Sequence, residues 1–201
     1  MKLYYSPGAC SLASHIVARE AGIEVQLEKV DLATKQTASG EDFSAVTSKG
    51  YVPALGLDDG EVLTEGTAIL QYLADLKPSS GLAPANGTLS RYRLQEMLGY
   101  INSEIHKNYS PLFNRKTLPE VRKEREEYLH KRYGLVESIL ANGAFLFGDQ
   151  FTAADAYLFT VTNWARMVKV DLAAFPNLLA FQKRVAARPA VQAALKAEGL
   201  A

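Results

Sequence analysis

Hydrophobic positions along the 201-residue chain follow two styles, and the change falls near residue 77. Before it, short apolar runs alternate with one-sided helical patterns. "KLYY" (2–5) is short and β-rich and is broken by Pro7-Gly8. "SLASHIVAREAG" sets Leu12, Ile16 and Val17 at helical spacing, with Gly22 as the stop. "EVQLEKVDL" alternates through Val25, Leu27 and, less cleanly, Val30, which predicts a strand. "EDFSAV" predicts a short helix. "VPALGL" and "EVLTE" flank "DDG", a hairpin signal, and "TAILQYLADL" carries apolar residues at 69, 70, 73 and 76. The order β-α-β-α-β-β-α needs a parallel pair first and an antiparallel pair last. That is a small mixed sheet with helices on its faces.

"KPSSGLAPANG" (77–87) is dense in Pro, Ser and Gly and reads as a linker. Beyond it the pattern is helical throughout. "LSRYRLQEMLGYINSEIHKNY" runs to Pro111, and "LPEVRKEREEYLHKRYGLVESILANG" has proline in its first turn and glycine at its end. "TAADAYLFTVTNWARMVKV" and "NLLAFQKRVAARPAVQAALKAEG" complete the helical set. The expected division is a domain at 1–80, a linker at 81–87 and an all-helical domain at 88–201, with no internal repeat.

Charge and composition narrow the partners. Lys+Arg and Asp+Glu both total 22, so the net charge is zero, and nothing favours nucleic acid or an acidic membrane as partner. No apolar run approaches the ~18 residues of a membrane span. "MKLYYSPGA" is too short and too polar for a signal segment. Cys10 is the one cysteine, so no internal disulfide forms, and a reducing cytoplasm is the expected compartment.

The position of that cysteine raises a chemical question. Cys10 lies at a strand-to-helix junction, beside unsatisfied N–H groups and the positive end of the helix dipole. Such a place lowers a thiol pKa from about 8.5. A two-unit drop is about 2.7 kcal/mol of selective thiolate stabilisation, within reach of one or two charge-assisted hydrogen bonds. A buried, inert cysteine is the other reading, and position alone fits both.

Three further features bear on it. Val52-Pro53 enters a strand where proline removes a ladder donor and can be cis, leaving the Val52 backbone to pair with an extended peptide; an ordinary edge proline looks the same in sequence. Glu65-Gly66-Thr67 starts a helix, where the carboxylate can hold an ammonium and the N–H groups a carboxylate; a plain capping cluster is the alternative. Lys35 lies in a loop where a cation can reach a second carboxylate, or simply be solvated. Together these parts fit one ligand: a short peptide with a free amine, two carboxylates and a thiol.

"KLYYSPGACSLASHI", "VPAL", "LTEGTAILQYL", "SEIHKNYSPLF" and "GDQFTAADAYLF" resemble the bacterial beta-class glutathione S-transferases over essentially the whole chain. The resemblance implies a thioredoxin-like N-terminal domain followed by the family's α-helical C-terminal domain. It implies that Cys10 lies against the glutathione sulfur and can form a mixed disulfide with it. It implies that Lys35, Val52, Pro53, Glu65 and Gly66 grip the tripeptide, and that His106 points into the same cleft. Tyr5 and Ser11 flank the thiol, with hydroxyls able to donate to a thiolate.

Helix geometry adds an argument. Ser103 and His106 are three residues apart and share a face, whereas Glu104 is about 200° around an α-helix from His106. One helix cannot aim both Glu104 and His106 at one ligand. The resemblance implies that the glutamate approaches glutathione in a neighbouring subunit, so a two-fold homodimer reconciles them. One position departs from the family: relatives carry asparagine where this chain has Gly99. Glycine cannot supply the amide and weakens a helix by ~1 kcal/mol.

The acceptor site is expected between the domains. Tyr109 and Phe113 follow His106 at +3 and +7, and Trp164 and Met167 come from a later helix; ordinary helix–helix core is the competing assignment for each. Thr152 and Asp155 form a capping box that reads as a folding device. The expected function is a glutathione transferase, with no metal, that presents the thiolate to a small hydrophobic electrophile, as in detoxification. Side by side, two thiolates repel, so Cys10 and the bound sulfur share a proton, which predicts modest conjugation and thiol–disulfide exchange. Two alternatives stand beside it: a glutathione-dependent thiol reductase or peroxidase that needs Cys10, and a non-catalytic binder of apolar ligands.

Overall fold

Alternating short strands and one-sided helices form the first unit of the computed structural model, which describes residues 1–201. Its strands are β1 (Lys2–Tyr5), β2 (Gln26–Asp31), β3 (Gln36–Thr37), β4 (Ala54–Gly56) and β5 (Val62–Thr64), in the spatial order β3-β2-β1-β4-β5. β1 pairs parallel with β2, Leu3 opposite Leu27, and antiparallel with β4, Leu3 opposite Leu55. The crossover between the parallel strands is α1 (Ser11–Glu20), which buries Leu12, Ile16 and Val17 as their spacing requires. The "DDG" hairpin is present: β4 and β5 pair antiparallel around Gly60, whose φ of +91° only glycine adopts without strain. α2 (Phe43–Val46) is capped by Asp42, whose side chain accepts from the Ser44 N–H. α3 (Gly66–Leu76) buries Ile69, Leu70 and Leu73.

The second unit is helical: α4 (Leu89–Tyr100), α5 (Lys107–Phe113), α6 (Pro119–Leu140), α7 (Ala153–Val168) and α8 (Pro176–Ala186). α7 is buried along most of its length and apolar nearly all round, as a central core helix must be. No helix is long and apolar enough to cross a membrane.

Four details add to or depart from the sequence reading. β3 adds two residues of antiparallel pairing to β2, too short a run to show a period. Between α4 and α5, residues Ile101–His106 form a π-helical segment, and the helix continues through Pro111. The helical stretch over 177–199 is divided into two helices, α8 and α9 (Pro189–Ala197), because the residue before a proline is pushed out of the α region; Arg188 has ψ 134°. Finally, the units are Met1–Ala83 with Ala187–Ala201, and Pro84–Ala186. The sequence reading carries the all-helical domain to residue 201; by packing, α9 lies on α1 and groups with the first unit.

Candidate functional site

In the first unit the chain after β1 turns sharply at Ser6–Cys10. Gly8 takes φ +70°, and Cys10 is the capping residue of α1. The Cys10 side chain is partly exposed, and its Sγ donates to the Val52 carbonyl at 3.2 Å. Helix start and carbonyl act oppositely: the first favours an anion there, the second a protonated thiol. Tyr5, at the end of β1, is buried, and its hydroxyl is held in the protonated form by desolvation, reinforced by Glu198 and Glu28. Ser11 does not offer its proton to the sulfur. Its Oγ accepts from the Ser6 N–H at 3.2 Å and donates to the Ser6 carbonyl at 3.3 Å, bracing the turn from within.

The Val52-Pro53 peptide is cis, and the Pro53 ring lies 3.7 Å from where a Cβ on Gly66 would stand. Next to Gly66, Glu65 has φ +68°, a conformation costing a non-glycine residue roughly 1–3 kcal/mol and concentrated at functional sites. Its carboxylate accepts from Lys49 Nζ at 2.6 Å and from the Tyr51 hydroxyl at 2.8 Å. These hydrogen bonds to Glu65 raise the pKa values of both donors. The first i→i−4 bond of α3 is Ile69 N–H to Glu65 O, so the N–H groups of Gly66 and Thr67 stand ahead of the helical ladder, where an anion binds well. Lys35, also at positive φ (+60°), donates from Nζ to the Gly50 carbonyl at 2.7 Å. Cys10, Val52, Pro53, Gly66 and Glu65 thus form one linked run, and Lys35 joins it through the Gly50–Tyr51 segment.

In the second unit the π-helical segment carries Ser103, Glu104 and His106. Its i→i+5 pattern widens the turn, and the buried Asn108 amide donates to the carbonyls of Ser103 (3.3 Å) and Glu104 (3.0 Å), satisfying groups that a wide turn exposes. His106 Nδ1 is 2.6 Å from the Tyr157 hydroxyl, which donates to Asn102 Oδ1 at 3.0 Å. With that proton committed to Asn102, the tyrosine oxygen accepts from Nδ1–H, and Nε2 keeps its lone pair. Burial, with a smaller push from Lys107, lowers the His106 pKa to about 4, so the ring is neutral near pH 7. The Trp164 ring packs edge-on against His106 (4.8 Å between centroids), Tyr109 (5.8 Å) and Phe113 (5.7 Å).

Glu104 leaves on another face. It accepts from the Tyr128 hydroxyl at 2.6 Å, and Arg132 Nε lies 2.8 Å away as an ion pair; the Tyr128 bond is the main reason its pKa is lowered. Ser103 and His106 take separate partners. Ser103 Oγ donates to the Gly99 carbonyl at 3.1 Å, the usual back-bond of a helical serine, and to Glu104 Oε1 at 3.2 Å.

Tyr109 is not an acceptor wall. It is fully buried and its hydroxyl is 2.9 Å from that of Tyr133, which donates to Thr162. Phe113 and Met167 are exposed and line a cavity of about 580 Å³ with Arg122, Lys169 and Val168, while Trp164 is nearly buried. The Thr152–Asp155 capping box is present, with Asp155 accepting from the N–H groups of Leu146 and Thr152 and from the Thr152 hydroxyl.

Residues 8–76 match the family model for the N-terminal domain of glutathione S-transferases, and residues 100–189 that for the C-terminal domain. The chain is 49% identical over 200 residues to glutathione S-transferase GstA of Escherichia coli O157:H7, covering 100% of both. The chain belongs to the glutathione S-transferase family. Within it, the likeness is to the bacterial beta class. The beta-class enzyme of Sphingomonas chungbukensis superposes with a TM-score of 0.96 at 47% identity, covering 100% of both chains. A sphingomonad glutathione S-transferase complexed with glutathione gives 0.96 at 49%, again covering 100% of both.

Sequence reasoning did not find several partners in this family member. Tyr51 and Lys49 stand close to the quoted "VPAL" but carry no motif of their own. Tyr157 lies inside "GDQFTAADAYLF", where its hydroxyl is the visible signal. Tyr128 and Arg132 are four apart on α6, a spacing that marks a shared face without saying what it meets.

Proposed function

We propose that the protein is a transferase that joins the sulfur of reduced glutathione to small apolar electrophiles, a detoxification chemistry. The linked run from Cys10 through Val52, Pro53 and Gly66 to Glu65, in a chain of this family, carries the reading. Glu65 takes the tripeptide's ammonium, the start of α3 and Lys35 take its two carboxylates, and the Val52 backbone pairs with its central residue. In the reaction the glutathione thiol gives up its proton, the thiolate attacks the electrophilic carbon, and the leaving group departs with its bonding pair. Tyr5 donates to the developing sulfur anion, and the neutral His106 ring offers Nε2 as an acceptor. Phe113, Trp164 and Met167 supply apolar surface for the acceptor. Rate comes mainly from proximity and electrostatics. Cys10 adds thiol–disulfide exchange through a mixed disulfide with glutathione.

Two further parts of the reading concern setting. A homodimer gives Glu104 a ligand in the partner subunit, as the family resemblance implies. A single-cysteine chain suits the reducing cytoplasm.

The test is conjugation of a chlorodinitrobenzene followed by absorbance, with retention on immobilised glutathione. The wild type conjugates. Cys10→Ala keeps most of that activity and loses exchange with a glutathione mixed disulfide. If conjugation fell together with exchange, the reductase reading would replace this one. Absence of both retention and turnover in the wild type would leave a non-catalytic binder.

A further inference from the structure

The cavity of about 580 Å³ in the second unit joins two kinds of side chain. Phe113 and Met167 line it while 44% and 68% exposed, large apolar groups left in water. Arg115, Arg122 and Lys169 line it too, and no carboxylate does. A volume of this size, with an apolar wall and a few convergent charges, suits a small molecule.

The plain account of three cations here is that they cap helix ends, since cations favour helix C-termini. Arg122 fills that role by itself. Its Nη1 donates to the Leu112 carbonyl at 3.2 Å, at the end of α5, and its Nη2 to the Val168 carbonyl, at the end of α7. Its Nε pairs with Glu126 at 3.1 Å. Lys169 and Arg115 have no such occupation: neither side chain bonds to a carbonyl or pairs with a carboxylate. The carboxylate of nearby Asp171 accepts the Ala173 N–H. Lys169 also stands at φ +62° as the left-handed cap of α7, where glycine or asparagine is the usual residue. A lysine there gives up helix-end stability and keeps an ammonium at the cavity.

The cavity is continuous with the aromatic cluster, because Phe113 packs on Trp164 and Trp164 on His106. We infer that it selects electrophilic aryl carboxylates as acceptors: Phe113 and Met167 meet the ring, and Arg115 and Lys169 meet the carboxylate and so determine specificity. Calling the ligand an acceptor rests on the transferase reading; its charge and shape do not. In the step itself the glutathione sulfur bonds to the ring carbon, the leaving group departs with its bonding pair, and the thiol proton passes to water. The carboxylate is unchanged. A guanidinium meets a carboxylate through two parallel N–H groups, an ammonium as a point charge. Both side chains are exposed, so each contact is worth about threefold in affinity, less than a buried pair gives.

Trp164 is the one tryptophan of the chain, so its fluorescence, quenched by a bound nitroarene, reports on this cavity. The full chain, without glutathione, is titrated with a dinitrobenzoate and with the matching neutral dinitrobenzamide. The Kd of the carboxylate should rise about threefold in Lys169→Gln and about tenfold in the double variant Arg115→Gln/Lys169→Gln, with that of the amide within about twofold throughout. In the wild type, salt at about 0.5 M should weaken the carboxylate by a similar factor and leave the amide alone. With glutathione present, kcat/KM for a chlorodinitrobenzoate should fall about tenfold in the double variant relative to that for the chlorodinitrobenzamide. Equal changes for both probes overturn the inference, since lost packing would weaken both. An unchanged Kd for the carboxylate in the double variant overturns it too, as does wild-type carboxylate binding that ignores salt. Charge-dependent binding without turnover of either chloro compound would defeat the transferase reading and leave the charge preference standing. A carboxylate that binds and only blocks turnover of the amide would overturn its assignment as acceptor.

Discussion

In the first unit the groups assigned to glutathione stand at loop edges and helix starts: Glu65 is half exposed, Lys35 and Cys10 partly so, and their positions are fixed by backbone conformation. In the second unit His106 and Trp164 are packed into an aromatic cluster continuous with the core through Tyr109 and Tyr133. A side chain changed at the first site should therefore alter binding with little effect on folding. At the second, the proposed chemistry and stability cannot be varied separately, because the rings assigned to it are also core.

The sharpest way to break that contrast is at the start of α7, the helix that carries Tyr157 and Trp164. Asp155 is fully buried, its carboxyl pushed up to about 6 by desolvation against the hydrogen bonds it accepts. Asp155→Ala strands the N–H groups of Leu146 and Thr152 and should cost about 3–5 kcal/mol in denaturant unfolding. A loss under ~1 kcal/mol would mean that the helical site is not anchored through this cap.

Next comes His106. Its folded pKa of about 4 lies below the unfolded value of 6.5, so as pH falls the unfolded chain takes up a proton first. The neutral ring's contribution is whole above pH 6.5 and is lost as pH falls towards about 4. The difference is about 3 kcal/mol, or about 2 after allowing for partial exposure. Unfolding measured across that range should show the slope in the wild type and a flatter one in His106→Asn. Parallel profiles would place His106 in water and dissolve the contrast between the two units.

A smaller effect is expected in the first unit. Tyr51→Phe removes one of the donors that hold the Glu65 carboxylate. The KM for glutathione should rise about threefold, while the melting temperature stays within about 1 °C. A fall in stability without a change in KM would reverse the assignment of that network from binding to folding.

How much of this was legible follows the same division. The first unit announces itself through breakers: Pro7-Gly8, Val52-Pro53, "DDG" and Glu65-Gly66 each mark a turn that the structure contains, since these residues constrain φ locally. In the second unit hydrophobic period gives the helices but not the π-helical segment, because over six residues an i→i+5 turn and an α-turn place apolar groups alike. The α8–α9 break is legible in Pro189, which pushes the residue before it out of the α region. That α9 returns to α1, bringing Glu198 to Gly8, is a contact across 190 residues of chain with no local trace.

The smallest effect is at Gly99, where the family resemblance implies an asparagine. Gly99 lies in α4, exposed, and a Cβ there would meet nothing within 4 Å. Its carbonyl accepts from Ser103 Oγ at 3.1 Å, a bond that any residue at 99 retains. Gly99→Ala should stabilise the helix by up to ~1 kcal/mol, and Gly99→Asn by only ~0.3, because asparagine is a poor helix former. Affinity for glutathione should run in the opposite order: alanine leaves the KM alone, whereas asparagine lowers it about twofold by supplying an amide. Helix propensity cannot produce that inversion, since it ranks alanine first. Equal KM values for the two variants would show that glutathione makes no use of position 99. An equal fall in both would assign the gain to the helix and not to the ligand.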